Sequence, residues 1–266
     1  MKVLIAGAGN MGSTYGASFI NANAIRREEL CFLDRGTGKA GRLASLSAHP
    51  LHTQPGEFVS DFGLIILSVK PQDFPTLAAS LKPFIQPGHL ILSIMAGVTM
   101  KRIAEELGAG KIVRAMPNLP SQVGQGMTVF TASDQVSIKE IFFIQNLLST
   151  TGKTLYTEQE SMLDAATAIS GSGPAFVYFF MEAMMEAGRQ MGFAESETQL
   201  LVHQTFLGAV DLLHRNTLSS SEWISRVASK GGTTEAALKI FAQNDLKNRI
   251  VEGLEAARAR AVELSQ

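Results

Sequence analysis

Short apolar runs alternate with longer amphipathic segments through the first 158 of the chain's 266 residues. Four runs, KVLIA, LCFLD, LIILSV and HLILSI, are almost continuously apolar, which is typical of strands buried on both faces of a sheet. The shorter runs KIVRAM, GMTVF and KTLY are weaker strand candidates. The segments between the runs favour helices: NMGSTYGASFINANA, GKAGRLASL, PQDFPTLAASL, TMKRIAEEL and SIKEIFFIQNLLST. Strands that alternate with helices predict a mostly parallel, doubly wound α/β sheet.

The pattern changes after residue 158, because no further strand-like run follows. The rest of the chain carries apolar residues at helical spacing, interrupted by single charges. We therefore predict a sheet domain over residues 1–158 and an all-helical domain over residues 159–266. This order suggests nucleotide binding in the first domain and substrate binding or assembly in the second.

Composition narrows the class of protein. With 18% charged residues and a net charge of -1, the chain offers neither a basic surface for nucleic acid nor the acidic excess of a disordered protein. Glycines and a proline interrupt the most apolar region, AISGSGPAFVYFF, so we expect no membrane span. The single cysteine, Cys31, excludes an internal disulfide and fits a reducing cytoplasm. The five histidines show no spacing typical of metal ligands, so we expect no metal.

The segment GAGNMG carries the first candidate site. Its glycines fit G-x-G-x-x-G: Gly7 permits a tight turn, Gly9 lets a pyrophosphate approach the backbone, and Gly12 lets the helix pack against the strand. The segment follows the first strand and opens a helix, so we expect a dinucleotide on Gly7, Gly9, Asn10, Met11 and Gly12 in a Rossmann-type domain. A tight turn without a ligand is the alternative.

Asp34 ends the second strand, where an acidic residue binds a ribose hydroxyl. A carboxylate there favours NADH, because it accepts from the 2′-hydroxyl and repels the 2′-phosphate of NADPH. Arg35 follows directly and is expected either to stack on adenine or to pair with that phosphate. The alternative is that Asp34 only caps the turn that follows it.

Two further strand ends are expected to face the cofactor, because ligands bind at the carboxyl ends of such sheets. One is LSVKPQ, with Ser68, Val69 and Lys70, although Lys70 is equally explained as a loop lysine in an ion pair. The other is SIMAGV, with Met95 and Ala96. We expect MPNLP to close the last strand-to-helix crossing of the domain, with its prolines stiffening the loop and Asn118 reaching the nicotinamide or the backbone.

Six segments in succession resemble the pyrroline-5-carboxylate reductase family: AGAGNMG, LSVKPQ, SIMAGVT, RAMPNLPSQVGQGMTV, AISGSGPAFVYFFMEAMMEAG and SKGGTTEAAL. The resemblance runs from Val3 to about residue 260 without large gaps. It implies an enzyme that reduces a cyclic imine, 1-pyrroline-5-carboxylate, to L-proline with NADPH or NADH. It also implies at least a homodimer, whose C-terminal helices interlock and whose active sites draw on both chains.

The resemblance assigns roles to the segment SKGGTTEAAL. Backbone N–H groups at a helix N-terminus bind anions, so the substrate carboxylate is expected on Gly231, Gly232 and Thr233. Thr234 matches the threonine that hydrogen-bonds the ring nitrogen, and it is the candidate catalytic residue. The remaining residues expected to contact the substrate are Ser172, Val227 and Ser229. A threonine-capped helix without a ligand is the alternative.

The chain departs from the family pattern at two positions. Lys230 stands where the family usually has proline, and Leu119 stands where it usually has threonine. Three functions therefore remain open. The first is reduction of pyrroline-5-carboxylate. The second is reduction of another small cyclic imine or 2-hydroxy acid by a related NAD(P)-dependent enzyme. The third is a non-catalytic paralogue that senses the dinucleotide.

Overall fold

Seven strands form one sheet in the order β2-β1-β3-β4-β5-β6-β7. The computed structural model describes residues 1–265, with Arg42 described by its backbone alone. Strands β1 to β5 run parallel, β6 runs antiparallel to β5, and β7 runs parallel to β6. The strands span β1 (Val3–Ala6), β2 (Leu30–Leu33), β3 (Leu64–Leu67), β4 (Leu90–Ser93), β5 (Lys111–Met116), β6 (Gly126–Ala132) and β7 (Gly152–Tyr156). The predicted α/β sheet is confirmed.

The continuously apolar runs form the centre of this sheet. Every residue of β1, β2, β3 and β4 is buried. Alternate side chains enter two separate cores: Val3 and Ile5 pack into one, and Leu4 and Ala6 pack into the other. Helices cover both faces, which is why the strands show no polar alternation.

Five helices belong to the sheet region: α1 (Asn10–Asn21), α2 (Ala40–Leu43), α3 (Phe74–Leu81), α4 (Met100–Leu107) and α5 (Ile138–Ser149). Buried side chains of α1 and α5 join the first core, and those of α3 and α4 join the second. Helix α2 is far shorter than GKAGRLASL predicts, and the two glycines of that segment are poor helix formers. Pro75 lies in the first turn of α3, where the missing N–H costs little.

The predicted role of MPNLP as a strand-to-helix crossing is wrong. The segment joins β5 to the antiparallel strand β6 through a short 3₁₀ turn, Leu119–Val123. The Asn118 amide donates to the Ser170 carbonyl at 3.0 Å, and its oxygen accepts from the Met127 N–H at 2.9 Å. Asn118 thus ties this turn to β6 and to the start of the helical region.

Helices alone follow β7 within the part of the chain that the structure describes. They are α6 (Met162–Ala166), α7 (Gly173–Gln190), α8 (Glu195–His214), α9 (Ser220–Val227), α10 (Thr233–Gln243) and α11 (Leu246–Leu264). The predicted helical C-terminal part is confirmed. No helix among residues 1–265 has the length and apolar character needed to cross a membrane.

The chain divides into two compact units. One comprises Met1–Pro174 together with the C-terminal residues from Ala257, and the other is Ala175–Ala256. The predicted functional boundary after residue 158 stays a prediction. The second unit has almost no interior, because Thr198 and Val202 are its only buried residues.

A buried arginine holds the C-terminal residues within the first unit. The Arg114 side chain on β5 is 4% exposed and lies 3.0 Å from Glu160 and 3.5 Å from Asp164. Glu160 also accepts from the Met100 N–H at 2.8 Å, and Asp164 accepts from the Ser265 hydroxyl at 3.1 Å. One network therefore joins β5, the start of α4, the α6 region and the end of the chain.

Replacing Arg114 by alanine should lower the free energy of unfolding by about 3–5 kcal/mol, because two carboxylates would lose their buried cation. Urea unfolding followed by circular dichroism measures the change. The matched control is Arg102→Ala, whose ion pair with Glu106 is partly exposed and is expected to contribute at most about 1 kcal/mol. Equal losses in the two variants would contradict the importance of the buried network.

Candidate functional site

A cleft of about 1080 Å³ opens at the carboxyl ends of β1, β2 and β3. Its walls come from the β1–α1 loop, the residues after β2, the residues after β3 and one face of α3. Strands β2 and β3 lie on opposite sides of β1, so the connections that follow β1 and β2 lead to opposite sides of β1. A ligand crevice is expected at such a switch point in an open α/β sheet.

The glycine loop lies at the back of this cleft. Gly7 has φ +103°, and a Cβ there would lie 2.5 Å from the Ser68 carbonyl oxygen. A Cβ on Gly12 would collide with the Gly7 carbonyl at 2.0 Å. Gly9 lines the cleft, and a Cβ there would have no protein atom within 4 Å. Two glycines thus permit close packing, whereas Gly9 leaves open space in front of the α1 N-terminus.

Asp34 joins the glycine loop to the loop after β2. Its carboxylate accepts from the Ala8 N–H at 2.7 Å, the Gly36 N–H at 2.8 Å and the Lys39 ammonium at 2.9 Å. Burial alone would raise the pKa of this carboxyl, but the hydrogen bonds from Lys39, Gly36 and Ala8 outweigh burial and lower it. Asp34 is therefore ionised at neutral pH and provides a fixed negative charge on the cleft wall.

The structure brings many of the predicted cofactor residues together. The cleft lining contains Gly7, Gly9, Asp34, Arg35, Ser68, Val69 and Lys70. The predicted residues outside this lining are Asn10, Met11, Gly12, Met95, Ala96 and Asn118. Of these, Met95 is 2% exposed and packs in the core, whereas Ala96 is exposed just beyond β4.

Sequence reasoning missed two charged residues of the lining, Lys39 and Asp73. Lys39 follows Asp34 by five positions, and Asp73 directly follows the LSVKPQ segment. The Arg35 guanidinium lies 2.7 Å from Asp73. The only available signal for Lys39 was a positive charge six residues beyond the end of β2.

The predicted substrate loop connects α9 to α10 in the helical unit. Val227 ends α9, and Ser229 accepts from the Gly232 N–H through its carbonyl at 3.0 Å. Gly231 has φ +72°, a left-handed conformation that favours glycine. Its N–H donates to the Glu235 carboxylate at 2.6 Å. Two N–H groups assigned to the substrate carboxylate thus already have protein acceptors.

Helix α10 begins at Thr233, with Gly232 as its N-cap and no side-chain cap. The N–H groups of Thr233 and Thr234 lie in its first turn, where no acceptor exists within a helix. Among the described residues, neither N–H group has an acceptor. The anion-binding capacity of this loop therefore lies mainly with Thr233 and Thr234.

Ser172 follows a turn of π-helix, Thr167–Gly171. Its N–H donates to the Thr167 carbonyl at 2.8 Å, the i to i−5 bond of such a turn. The π turn replaces a regular connection between α6 and α7. Such turns are frequent at functional sites, and the role expected for Ser172 stays a prediction.

Within residues 1–265, no group of three or more His, Cys, Asp or Glu side chains is arranged to hold a metal ion. Cys31 lies buried in β2, and burial raises the pKa of its thiol to about 12. A thiol in this state is a poor nucleophile at neutral pH.

Two family models match the chain. The model described as pyrroline-5-carboxylate reductase dimerisation matches residues 160–264. The model described as NADP oxidoreductase, coenzyme F420-dependent, matches residues 2–97. The second match covers the glycine loop and Asp34, and the first covers the π turn and the α9–α10 loop.

Curated and solved relatives match the chain from end to end. Pyrroline-5-carboxylate reductase of Pseudomonas aeruginosa is 34% identical, with 100% of this chain and 97% of that protein covered. The structure of a pyrroline-5-carboxylate reductase from Coxiella burnetii matches with a TM-score of 0.89 at 30% identity, covering 100% and 98% of the two chains. A Plasmodium falciparum pyrroline carboxylate reductase with NADP bound matches with a TM-score of 0.87 at 26% identity, with the same coverage.

Two glycine substitutions should separate packing from ligand binding in the glycine loop. Gly12→Ala should lower the free energy of unfolding by about 1–3 kcal/mol, because its Cβ meets backbone. Gly9→Ala should keep the melting temperature but weaken NADH binding at least about tenfold, because its Cβ enters the open cleft. Thermal unfolding and nicotinamide fluorescence titration measure the two effects. Unchanged NADH affinity in Gly9→Ala would contradict this placement of the cofactor.

Proposed function

Because the chain belongs to the pyrroline-5-carboxylate reductase family, we propose that it reduces 1-pyrroline-5-carboxylate to L-proline with NADH or NADPH. The observation that carries the proposal is the end-to-end match to reductases of this name, at 34% identity for the Pseudomonas aeruginosa enzyme. The cleft of about 1080 Å³ beside a glycine loop supports the cofactor half of the reaction.

The residues of the cleft fit a nicotinamide dinucleotide. The open space at Gly9 and the N-terminus of α1 suit a pyrophosphate, since unpaired N–H groups and the helix dipole favour anions. Asp34 provides an acceptor for a ribose hydroxyl. When bound, the reduced nicotinamide supplies the hydride that the imine carbon accepts.

The chain's own residues bind and orient the substrate in this proposal. The N–H groups of Thr233 and Thr234 hold the substrate carboxylate, and the Thr234 hydroxyl hydrogen-bonds the ring nitrogen. Ser172, Val227 and Ser229 complete the substrate contacts. A protonated imine needs no strong general base, because hydride addition to its carbon gives the neutral amine directly. Catalysis then depends on alignment.

We propose NADH as the preferred cofactor. The Asp34 carboxylate is held in place by three donors and is negatively charged at neutral pH. A fixed negative charge beside the ribose favours a hydroxyl over a phosphate. Arg35 and Lys39 line the same cleft, so the preference is expected to be moderate.

We also propose that residues 159–266 form the substrate-binding and dimerisation domain of a homodimer or larger homo-oligomer. The support is the exposed apolar surface of the second unit, where Phe179 is 72% and Leu200 is 69% exposed. A unit with two buried residues needs a partner surface to cover it. The single buried cysteine supports a reducing compartment, and we propose the cytoplasm.

The first experiment follows the oxidation of NADH and of NADPH at 340 nm with pyrroline-5-carboxylate as substrate. Turnover with either cofactor is expected, with kcat/KM higher for NADH because of Asp34. Cofactor binding without turnover would overturn the proposed reaction and favour a dinucleotide sensor or a different imine substrate. A higher kcat/KM for NADPH would overturn the proposed preference alone.

Thr234→Ala should lower kcat about 100-fold, because the ring nitrogen loses its hydrogen-bond partner in the transition state. The Kd for NADH should stay within about twofold, since Thr234 lies outside the cofactor cleft. Thr234→Ser keeps the hydroxyl and should recover most of the activity. Equal losses of turnover and NADH affinity would contradict the assigned role.

Phe179→Glu should shift the protein toward the monomer in light scattering coupled to size-exclusion chromatography, because it places a charge on the apolar surface of the second unit. Phe142→Glu is the matched control, since Phe142 is 61% exposed on α5 in the first unit. A monomeric wild-type protein would refute the proposed assembly.

A further inference from the structure

An ion pair crosses the cleft beside Asp34. Arg35 follows β2, Asp73 follows β3, and their guanidinium and carboxylate groups are 2.7 Å apart. Both residues line the cleft. The contact therefore connects two loops from strands on either side of β1.

Among the described residues, Arg35 is the partner of the Asp73 carboxylate. Asp73 ends a 3₁₀ turn, Pro71–Asp73, that continues directly into α3, so its backbone is already helical and it is no ordinary N-cap. Its side chain makes no cap hydrogen bond and instead accepts from Arg35. The side chains of this ion pair are 72% and 35% exposed, so the pair is expected to add little to the free energy of unfolding. We therefore expect the ion pair to affect ligand binding in the cleft.

Two of the three cations that line the cleft are paired, whereas the third, Lys70, has no ion pair among the described residues. Lys39 pairs with Asp34, and Arg35 pairs with Asp73, so two cations face two carboxylates. A 2′-phosphate monoester carries about -1.5 to -2 charges at neutral pH and binds best to an unpaired guanidinium, which meets it with a fork of donors. Here one donor of that fork, Nη2, is bound to the Asp73 carboxylate, which restrains the guanidinium.

We propose that Asp73 is a specificity-determining residue, which restrains Arg35 and thereby lowers the affinity of the cleft for a 2′-phosphorylated adenosine. This rests on the proposed function, because it takes the cleft to hold the adenosine half of NADH or NADPH. Asp34 disfavours the phosphate directly, and Asp73 does so by occupying the arginine that would bind it.

The test uses 2′,5′-ADP and 5′-AMP, which differ by the 2′-phosphate alone, in isothermal titrations with the full-length protein. Asp73→Asn should tighten 2′,5′-ADP binding about fivefold, the fold-change expected for releasing one exposed ion pair. Binding of 5′-AMP should change less than twofold. Asp134→Asn is the matched control, because it removes the same charge beyond β6, at the other side of the sheet, and should change neither affinity.

A second pair of variants asks whether Asp73 acts through Arg35. In an Arg35→Gln background, Asp73→Asn should leave 2′,5′-ADP affinity unchanged, since no guanidinium remains to be released. An equal gain in that background would overturn the proposal, because the effect would then be a general change of charge.

The outcomes separate this proposal from the proposed function. No gain for 2′,5′-ADP in Asp73→Asn, with wild-type binding of 5′-AMP and normal turnover of pyrroline-5-carboxylate, overturns the role of Asp73 alone. Failure of the wild-type protein to bind either nucleotide or NADH overturns the cofactor site, and the role of Asp73 with it.

Discussion

The burial of four adjacent strands on both faces is the constraint on which the rest of the structure depends. All residues of β1, β2, β3 and β4 are buried, so polar functional side chains are disfavoured along these strands. Such side chains lie where the strands end. Strand β1 lies between β2 and β3, whose connections leave in opposite directions. The cleft is therefore a result of topology, and the loops around it determine only its chemistry.

Asp34 is where those loops meet. Its carboxylate is bound by a backbone N–H of the glycine loop, by a backbone N–H of its own loop and by Lys39. The geometry that would present an acceptor to a ribose also fixes the glycine loop in place. Binding and local stability thus share the same hydrogen bonds, and a change at Asp34 cannot affect one without the other.

Much of this arrangement could be predicted from the sequence, because it follows from local patterns. Continuous apolar runs predicted the central strands, and glycine spacing predicted the loop beside them. The antiparallel turn from β5 to β6 was missed, since the direction of a strand depends on its partner and leaves no mark on a short apolar run. The Arg35–Asp73 contact was missed for a similar reason, because it joins residues 38 positions apart. The assignments from Ser172 to Thr234 came from family resemblance and stay predictions.

The second unit, Ala175–Ala256, contains all or part of five helices, α7 to α11. Only two of its residues, Thr198 and Val202, are buried. Little apolar surface is removed from water within it, so its own folding free energy must be small. Whatever covers its surface contributes by mass action, at about 1.4 kcal/mol for each tenfold change in the concentration of that partner. In the homo-oligomer that we propose, protein concentration thereby becomes a folding variable for this second unit, and dilution acts on it as a denaturant would.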